Sequence, residues 1–407
     1  MWRFLILLSW RNLWRRPRRT LVLWAAVALG TAAMLISAAF MRGISERTTQ
    51  DAVANLLGHV QIHAAGYRDN PSVQQRFPLA EGGLLDALAQ PPVAAYAARV
   101  RVPAVISSER ASLAITLVGI DPQQEAAVSL LGTARIEGRA LADAEAGELL
   151  IGKRLAHRLG TTVGKRVVVM SQDIDNGIAD RGFRVAGIFE ANPPLAELAY
   201  VFTGRTTAQR LLGMDAQAFS EVSVIALPDT PPEALAAALR PHAAGLDVEP
   251  WPVLAPMAAA RVQLNRGFTR IWFAVVAAAM GIGLVNTFLM AVFERTRELG
   301  LFQALGLPPR AIVLQVLCET ALVLVAGIAA GCLLGWLAIG ASGEGIDVSA
   351  FARGAELVGL NTVLPLVFVA RDLYVAALTA LLLGLAAGLY PAWCAARTVP
   401  VEAISRT

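Results

Sequence analysis

One stretch of the chain has the spacing of a phosphate-binding loop. Residues 147–153, GELLIGK, fit the pattern G-x-x-x-x-G-K, in which backbone N–H groups and the lysine hold phosphates. Such a loop needs Ser or Thr at the next position, because the hydroxyl binds Mg²⁺, and this chain has Arg154 there. We therefore expect no nucleotide site, and any ATP hydrolysis that drives this protein must come from another polypeptide.

The histidines and cysteines do not predict a metal site or a redox pair. His59 and His63 would share one face of a helix or of a strand, but a metal ion needs a third ligand and none is nearby. His157 and His242 have no supporting context. The three cysteines, Cys318, Cys332 and Cys394, lack C-x-x-C spacing. No Ser/His/Asp elbow or close carboxylate pair is found either, so the chain is expected to be a non-enzyme without cofactor or metal.

A short charged segment separates two apolar stretches. Residues 271–293 are uncharged, and a helix of about 23 residues spans about 30 Å of hydrocarbon. Residues 294–300, ERTRELG, cannot remain in lipid, and Pro308 with Pro309 stops any continuing helix. The pattern predicts a short surface helix over residues 294–310, held between two membrane spans. This is a suitable shape for a part that is pushed from outside the membrane.

Composition and hydropathy place the whole chain in the membrane class. Its 407 residues are 56% hydrophobic and only 16% charged, with a mean hydropathy of +0.55. Apolar runs predict four spans, at residues 21–41, 271–293, 311–342 and 373–396, and in the third the uncharged part begins after Glu319. A cleaved signal peptide is an alternative for the first run, with a small-residue site at 37–39. The run exceeds the usual 7–15 apolar residues of a signal peptide, so a retained anchor is favoured.

Arginines indicate the orientation of the spans. Six arginines precede residue 20, and residues 1–20 also carry Trp and Leu, which favours an interfacial helix over a nucleic-acid-binding arm. Arginines in residues 294–310 and in the tail 397–407 fall on the same side of a four-span chain. The sequence therefore predicts cytoplasmic termini, membrane lipids rather than nucleic acid as a partner, and a cytoplasmic 294–310 segment.

The long polar region between the first two spans predicts an extracytoplasmic domain. From residue 42 to 267 no segment is long and apolar enough to cross, and short strand-like runs alternate with short helices. Residues 43–57 and 253–266 are expected to be helical stalks, and residues 343–372 an outer-face loop with a strand or packed loop at 357–370. Strands are predicted at 60–63, 104–107, 114–119, 166–171, 183–189 and 221–227, and helices at 152–159, 206–212 and 232–242. The fold class is thus four transmembrane helices with a large α+β domain on helical stalks.

Two further features concern packing within the membrane. Gly327, Gly331 and Gly335 recur every four residues in the third span, as do Gly384 and Gly388 in the fourth, which favours close helix packing within or between subunits. At the edge of the third span, Glu319 is a proton-relay candidate if it is buried at the midplane. A structural ion pair with Arg295, Arg297 or Arg310 near the inner interface is favoured instead.

Several phrases of the sequence carry a family resemblance. Five segments resemble the FtsX/MacB/LolC–LolE-type permeases of ABC transporters. They are ERTRELGLFQALGLPPRAI with Glu319 in the next span, GHVQI at 58–62, LVGIDP at 117–122, residues 147–160 and FRVAGIFE at 183–190. The resemblance implies a MacB-type core domain, and it identifies the charged segment as the coupling helix that docks on a separate ATPase. The residues expected to contact that ATPase are Glu294, Arg295, Arg297, Glu298, Leu301 and Leu305.

The resemblance also implies an assembly and a set of functions. It implies a dimer of this chain or of this chain with a similar one, two ATPase copies that bind ATP and Mg²⁺, a periplasmic adaptor or chaperone, and a bacterial inner-membrane location. The expected function is mechanotransmission, as in type VII ABC transporters, with lipoprotein or lipid extraction favoured over MacB-like peptide or drug efflux. A scaffold that activates a periplasmic enzyme is the alternative from another class. A secondary transporter is disfavoured because no span carries an ionisable group at its centre.

Overall fold

The computed structural model describes residues 2–79, 83–191, 195–304, 307–343, 345–347, 363–364 and 366–397. It divides into two compact units. The helical unit comprises Met1–Arg47 and Arg261–Thr407, and the α+β unit comprises Thr48–Ala260. Each unit has its own core, and each is described by itself below.

The helices of both units are numbered along the chain. They are α1 (Trp2–Arg15), α2 (Pro17–Ala52), α3 (Leu84–Leu88), α4 (Pro122–Glu125), α5 (Lys153–Leu159), α6 (Ala196–Ala199), α7 (Arg205–Leu212), α8 (Pro232–Leu239), α9 (Trp251–Leu254), α10 (Pro256–Glu294), α11 (Thr296–Ala304), α12 (Pro309–Ala341) and α13 (Ala370–Ala396). Among the described residues, four helices are long and apolar enough to cross a membrane, namely α2, α10, α12 and α13. The four-helix part of the expected fold class is therefore confirmed.

The N-terminal helix is shorter than the sequence suggested. Residues 1–20 were expected to form one interfacial helix, but α1 ends at Arg15, and α2 begins at Pro17. Proline lacks the N–H that a helix interior requires, yet it suits a first helical position, so Pro17 ends one helix and starts the next. Helix α2 then continues beyond the apolar run as far as Ala52, and α10 begins at Pro256, before its own apolar run.

In the helical unit, α12 packs against α1, α2 and α13. Glycines allow this approach: a Cβ on Gly327 or Gly335 would come within 3.0 Å of Val27 or Leu35 on α2. A Cβ on Gly388 would lie 2.8 Å from Thr320 Cγ2 on α12. The packing that these glycines permit thus lies within one chain.

The α+β unit is built on one ten-stranded sheet. Its strands are β1 (Val60–Ala64), β3 (Val93–Ser107), β4 (Ser112–Ile120), β5 (Arg135–Gly138), β6 (Glu148–Gly152), β7 (Arg166–Gln172), β8 (Ile178–Glu190), β9 (Tyr200–Gly204), β11 (Glu221–Ala226) and β12 (Leu246–Pro250). The order is β12-β1-β11-β3-β4-β9-β6-β8-β5, and β7 pairs with β3 and β8. The β4–β9 and β6–β8 pairs are parallel and the others are antiparallel.

Two small strand pairs lie outside this sheet. They are β2 (Phe77–Pro78) with β10 (Ala218–Phe219), and β13 (Ile346–Asp347) with β14 (Val363–Leu364). The predicted strand or packed loop at 357–370 falls mainly outside the described residues. All six strands and all three helices predicted within the α+β unit are confirmed, although β3 starts eleven residues earlier than predicted, at Val93 rather than at residue 104.

The phosphate-loop pattern at 147–153 forms a strand and the first residue of a short helix. β6 ends at Gly152, whose missing Cβ makes room for the backbone of Glu197. The Glu197 carboxylate accepts hydrogen bonds from the backbone N–H of Arg154 at 3.3 Å and from that of Ala191 at 3.1 Å. The Glu197 carboxylate thus joins the start of α5 to the end of β8.

Candidate coupling site

The charged segment forms the short helix α11 between the long helices α10 and α12. Helix α10 ends at Glu294, and α11 begins at Thr296, so that Arg295 lies between the two helices. Leu299 is buried against Ile312 and Val316 of α12 and against Ala392 of α13, so this face of α11 is fixed to the helical unit. Arg297 and Leu301 are exposed, Leu301 by 52%. Leu305, another expected contact, lies outside the described residues.

A buried carboxylate lies behind this helix. Glu319 of α12 is only 7% exposed, and its Oε1 accepts a hydrogen bond from Asn12 Nδ2 at 2.8 Å. Arg295 Nη1 lies 3.4 Å from the same oxygen, and Arg295 Nη2 donates to the backbone oxygen of Asn12 at 3.2 Å. Of the three arginines considered from the sequence, the structure pairs Glu319 with Arg295. The cluster joins α1, α12 and the turn between α10 and α11.

A second, exposed set of ion pairs surrounds this cluster. Arg15 Nη1 lies 3.1 Å from both carboxylate oxygens of Glu298, and Arg19 Nη1 lies 3.2 Å from Glu294 Oε2. Arg16 also pairs with Glu294. Because these pairs are exposed, each contributes little stability, about 0–1 kcal/mol. They nevertheless fix which part of α1 and of the start of α2 faces the charged segment.

The two sets of contacts enclose a cavity of about 140 Å³. Its polar lining includes Asn12, Arg295, Gln315 and Glu319, and its apolar lining includes Phe288. Its charged lining consists of Arg15, Arg295, Glu298 and Glu319. The arrangement presents no nucleophile beside a base, and no group of three metal-ligating side chains occurs among the described residues.

The expected contact residues therefore separate into two groups. Glu294, Arg295 and Glu298 are held by partners within the chain, whereas no carboxylate in the described ranges pairs with Arg297. The sequence reasoning missed the partners on α1 and α2, namely Asn12, Arg15, Arg16 and Arg19. The arginine cluster before residue 20 carried the signal, since its positive charge matches the acidic residues at 294 and 298. The sequence analysis assigned these arginines to lipid phosphates or to the cytoplasm.

The four histidines do not gather into a site. His59 Nδ1 accepts a hydrogen bond from the backbone N–H of Ala226 at 3.0 Å, and burial lowers the pKa of His59 below its ordinary value of 6.5. His63 is fully buried on β1. His157 lies in the last turn of α5, and His242 lies in the turn after α8. Neither ring nitrogen of His63 has a hydrogen-bond partner among the described residues, and His63 Nδ1 lies 4.0 Å from Asp247 Oδ2.

Comparison with known families identifies the chain. Residues 20–242 match the MacB-like periplasmic core domain, and residues 270–400 match the FtsX-like permease C-terminal domain. The first match alone covers more than half of the chain, and the two follow one another in the order of the α+β unit and the later spans. The chain belongs to the FtsX/MacB family of ABC transporter permeases.

Relatives of this permease differ in how much of it they cover. The lipoprotein-releasing system transmembrane protein LolC of Neisseria meningitidis is 26% identical over 95% of this chain and 93% of its own. The macrolide export ATP-binding/permease protein MacB of Bordetella avium is 36% identical over 31% of this chain and 17% of its own. The crystal structure of the periplasmic region of MacB from Actinobacillus actinomycetemcomitans aligns with 50% of this chain and 94% of that one, at 12% identity and a TM-score of 0.35.

Membership of this family gives the general role of the protein. It is a membrane protein of the bacterial envelope with a periplasmic-type α+β domain, and it is a permease of an ABC transporter that works with an ATPase subunit. The sequence expectations on the family and on the α+β domain are therefore confirmed.

Proposed function

We propose that this permease converts ATP hydrolysis by a separate ATPase into movement of its α+β domain, and that this movement extracts lipoproteins from the inner membrane. Two permease subunits, identical or similar, would work with two ATPase copies that bind ATP and Mg²⁺. Both termini and α11 lie in the cytoplasm in this proposal, and the α+β unit lies in the periplasm. A periplasmic chaperone or adaptor receives the cargo.

The geometry of α11 is the observation that carries the mechanical part of the proposal. One face of α11 is fixed by Leu299, and the charges at its start are tied to α1 and α12. The opposite side exposes Arg297 and Leu301. A partner that presses on these two side chains acts on a helix that cannot slide alone, so α10 and α12 have to move as rigid bodies.

Similarity along the chain supports the choice of cargo. The likeness to a LolC protein extends over 95% of this chain, whereas the likeness to a MacB protein covers 31% of it. The name of the first relative refers to lipoprotein release, which favours a lipidated protein as cargo. The name of the second refers to macrolide export and to an ATP-binding part, for which the 407 residues offer no phosphate loop.

The test reconstitutes the permease with its cognate ATPase and measures lipoprotein release per ATP hydrolysed. The double variant Arg297→Ala/Leu301→Ala should weaken ATPase binding by about tenfold or more, as expected when a charged and an apolar anchor are removed together. Arg18→Ala, an exposed arginine near the start of α2, is the matched control and should behave like the wild type. Equal ATPase retention by the double variant and the control would contradict the assigned docking surface.

The same preparation distinguishes the alternative functions. ATP-dependent release of a lipoprotein supports the proposed cargo. Transport of a peptide or drug instead, or activation of a periplasmic enzyme without any transport, would overturn the lipoprotein assignment. Failure to retain any nucleotide hydrolase during purification would overturn the mechanical proposal as a whole.

A further inference from the structure

A buried polar layer lies on one face of the sheet in the α+β unit. Strand alternation directs Val60, Ile62, Val222 and Val224 into an apolar core on the other face. Their neighbours along β1, β11 and β3 point the opposite way and are also buried, although they are polar: Gln61, His63, Arg99, Glu221 and Ser223. Polar side chains at this depth require specific partners, because burying them without partners is costly.

Arg99 is the centre of this layer and is fully buried. Its Nε and Nη2 each donate to Glu125 of α4 at 2.8 Å, and its Nη1 lies 3.2 Å from Glu221 Oε1. Burial opposes the positive charge, but Glu125 and Glu221 outweigh this effect and raise the pKa of Arg99 above its ordinary value. Arg101 pairs with the other oxygen of Glu221 at 3.3 Å. Two cations and two carboxylates thus form a closed, charge-balanced network.

The network donates to one backbone carbonyl, that of Leu56. This oxygen accepts from Arg99 Nη1 at 2.5 Å, from Ser223 Oγ at 2.8 Å and from Gln61 Nε2 at 3.4 Å. Leu56 has a φ of 68°, which L-residues with a side chain rarely adopt. Its side chain is fully buried beside Val118. Leu56 is therefore held from both sides in a conformation that it would not adopt by itself.

Leu56 lies where the chain passes from helix α2 into the sheet. Helix α2 ends at Ala52, a π-helical turn covers Val53–Leu57, and β1 begins at Val60. Gly58 is needed here, because its φ is 67° and a Cβ would lie 2.9 Å from the backbone oxygen of Val224. The backbone oxygen of His59 accepts from the N–H of Trp251, at the start of α9. Both segments by which the chain enters and leaves the α+β unit are thus bonded to each other.

A charged network is an expensive way to stabilise a fold. Well-packed apolar residues in place of a buried ion pair often give equal or greater stability. An apolar core cannot, however, fix the direction of one carbonyl, whereas two side-chain donors at or below 2.8 Å can. The directional contact at Leu56 gives the network a role that packing alone cannot supply.

We propose that Arg99 is a positioning residue that makes the Val53–Leu57 turn rigid, so that displacement of α2 moves the sheet instead of being absorbed by the turn. This inference rests on the proposed mechanical function. Arg99 touches neither cargo nor ATPase. It acts through the Leu56 carbonyl, and Ser223 and Gln61 assist it.

The test uses the full-length permease in lipid nanodiscs and in complex with its ATPase. Removing Arg99 alone would leave the buried Glu125 unpaired and would leave Glu221 with Arg101 as its remaining cation. The variant is therefore Arg99→Met/Glu125→Gln/Glu221→Gln, which removes the three fully buried charges together and keeps the partly exposed Arg101. Ser223→Ala is a milder variant that leaves the ion pairs in place. Leu130→Ala is the matched control, because Leu130 packs in the same apolar cluster as Leu56 but does not contact its carbonyl.

The first measurement is hydrogen exchange at the amides of Gly58 and His59, which bond to Val53 and Val224. We expect about tenfold faster exchange in the triple variant and a smaller increase in Ser223→Ala, relative to the rest of the sheet. Leu130→Ala should accelerate exchange throughout its cluster without selecting these two amides. Unchanged relative exchange at Gly58 and His59 in the triple variant would overturn the proposal.

The second measurement is cargo released per ATP hydrolysed. The triple variant should keep its ATPase rate and lose at least about half of its release per ATP, because motion is absorbed in the loosened turn. Faster exchange with unchanged release per ATP would overturn the transmitting role of Arg99. If the wild-type complex releases no cargo on ATP hydrolysis, the proposed function fails, and the exchange data still decide whether Arg99 makes the turn rigid.

Discussion

The close approach of α2 and α12 at Gly331 provides a direct test of the helical unit. A Cβ at Gly331 would lie 2.5 Å from the backbone oxygen of Ala28 and 2.7 Å from Thr31 Cβ. Non-bonded heavy atoms prefer separations of about 3.5 Å or more, so Gly331→Ala has to move the two backbones apart by roughly 1 Å. A backbone oxygen cannot rotate away, and the strain therefore falls on the helix pair.

The expected loss of stability follows from this geometry. Overpacking a well-packed site costs about 1–3 kcal/mol, which corresponds to about a 5- to 150-fold change in the unfolding equilibrium. In lipid the helices gain no hydrophobic free energy from staying together, so the lost contacts are not offset. Gly331→Ala should consequently lower the midpoint of thermal unfolding in detergent or nanodiscs.

Gly340→Ala on the same helix is the control. Among the described residues, and apart from the backbone of α12 itself, no heavy atom lies within 4 Å of the Cβ position at Gly340. The measured quantity is the difference in unfolding midpoint between the two variants. Equal midpoints would refute the close contact between α2 and α12 that is inferred from the glycine spacing.

Two further predictions concern titratable groups. Glu319→Ala removes the acceptor of Asn12 and the partner of Arg295 and should destabilise the helical unit by about 1–3 kcal/mol. Glu298→Ala, in an exposed pair, should lower stability by less than about 1 kcal/mol. Thermal unfolding compares the two variants, and equal losses of stability would contradict the burial of the Glu319 cluster. Burial lowers the pKa of His59 in the folded protein, so the unfolded chain takes up a proton first as the pH falls through about 6.5. The contribution of His59 to the free energy of unfolding should therefore be fully present above this pH and decline below it, by at most about 1.4 kcal/mol per pH unit. His59→Gln should flatten this decline in denaturant titrations at pH 5–7, and an unchanged slope would exclude His59 as its source.

The features that follow from local sequence could be predicted without a structure. Hydropathy identified four spans because an uncharged run of about 20 residues is long enough to cross a bilayer as a single helix. Alternating β-branched residues identified strands such as 114–119, which lies inside β4. The expectation that residues 147–153 bind no nucleotide stays a prediction, and it depends on one residue, because Arg154 stands where a phosphate loop has a hydroxyl.

Features that depend on partners far along the chain could not be predicted from the sequence. Four strands of the sheet, β5, β6, β9 and β12, were missed, because short strands in a mixed sheet are specified by neighbours far along the chain. Arg99 looked like an ordinary strand arginine, and its partners Glu125 and Glu221 are 26 and 122 residues away. The pairing of α1 with the charged segment was missed for the same reason, as Asn12 and Glu319 are 307 residues apart.

The pairing of β1 with β12 has a consequence for how such proteins diversify. Val60 faces Pro250 and Ala64 faces Leu246, so the first and last strands of the ten-stranded sheet are adjacent, about 5 Å apart. A sheet whose first and last strands are neighbours forms a self-contained insert in the chain. It can be exchanged for another module, or cut down to a hairpin turn, without lengthening or shortening the helices on either side.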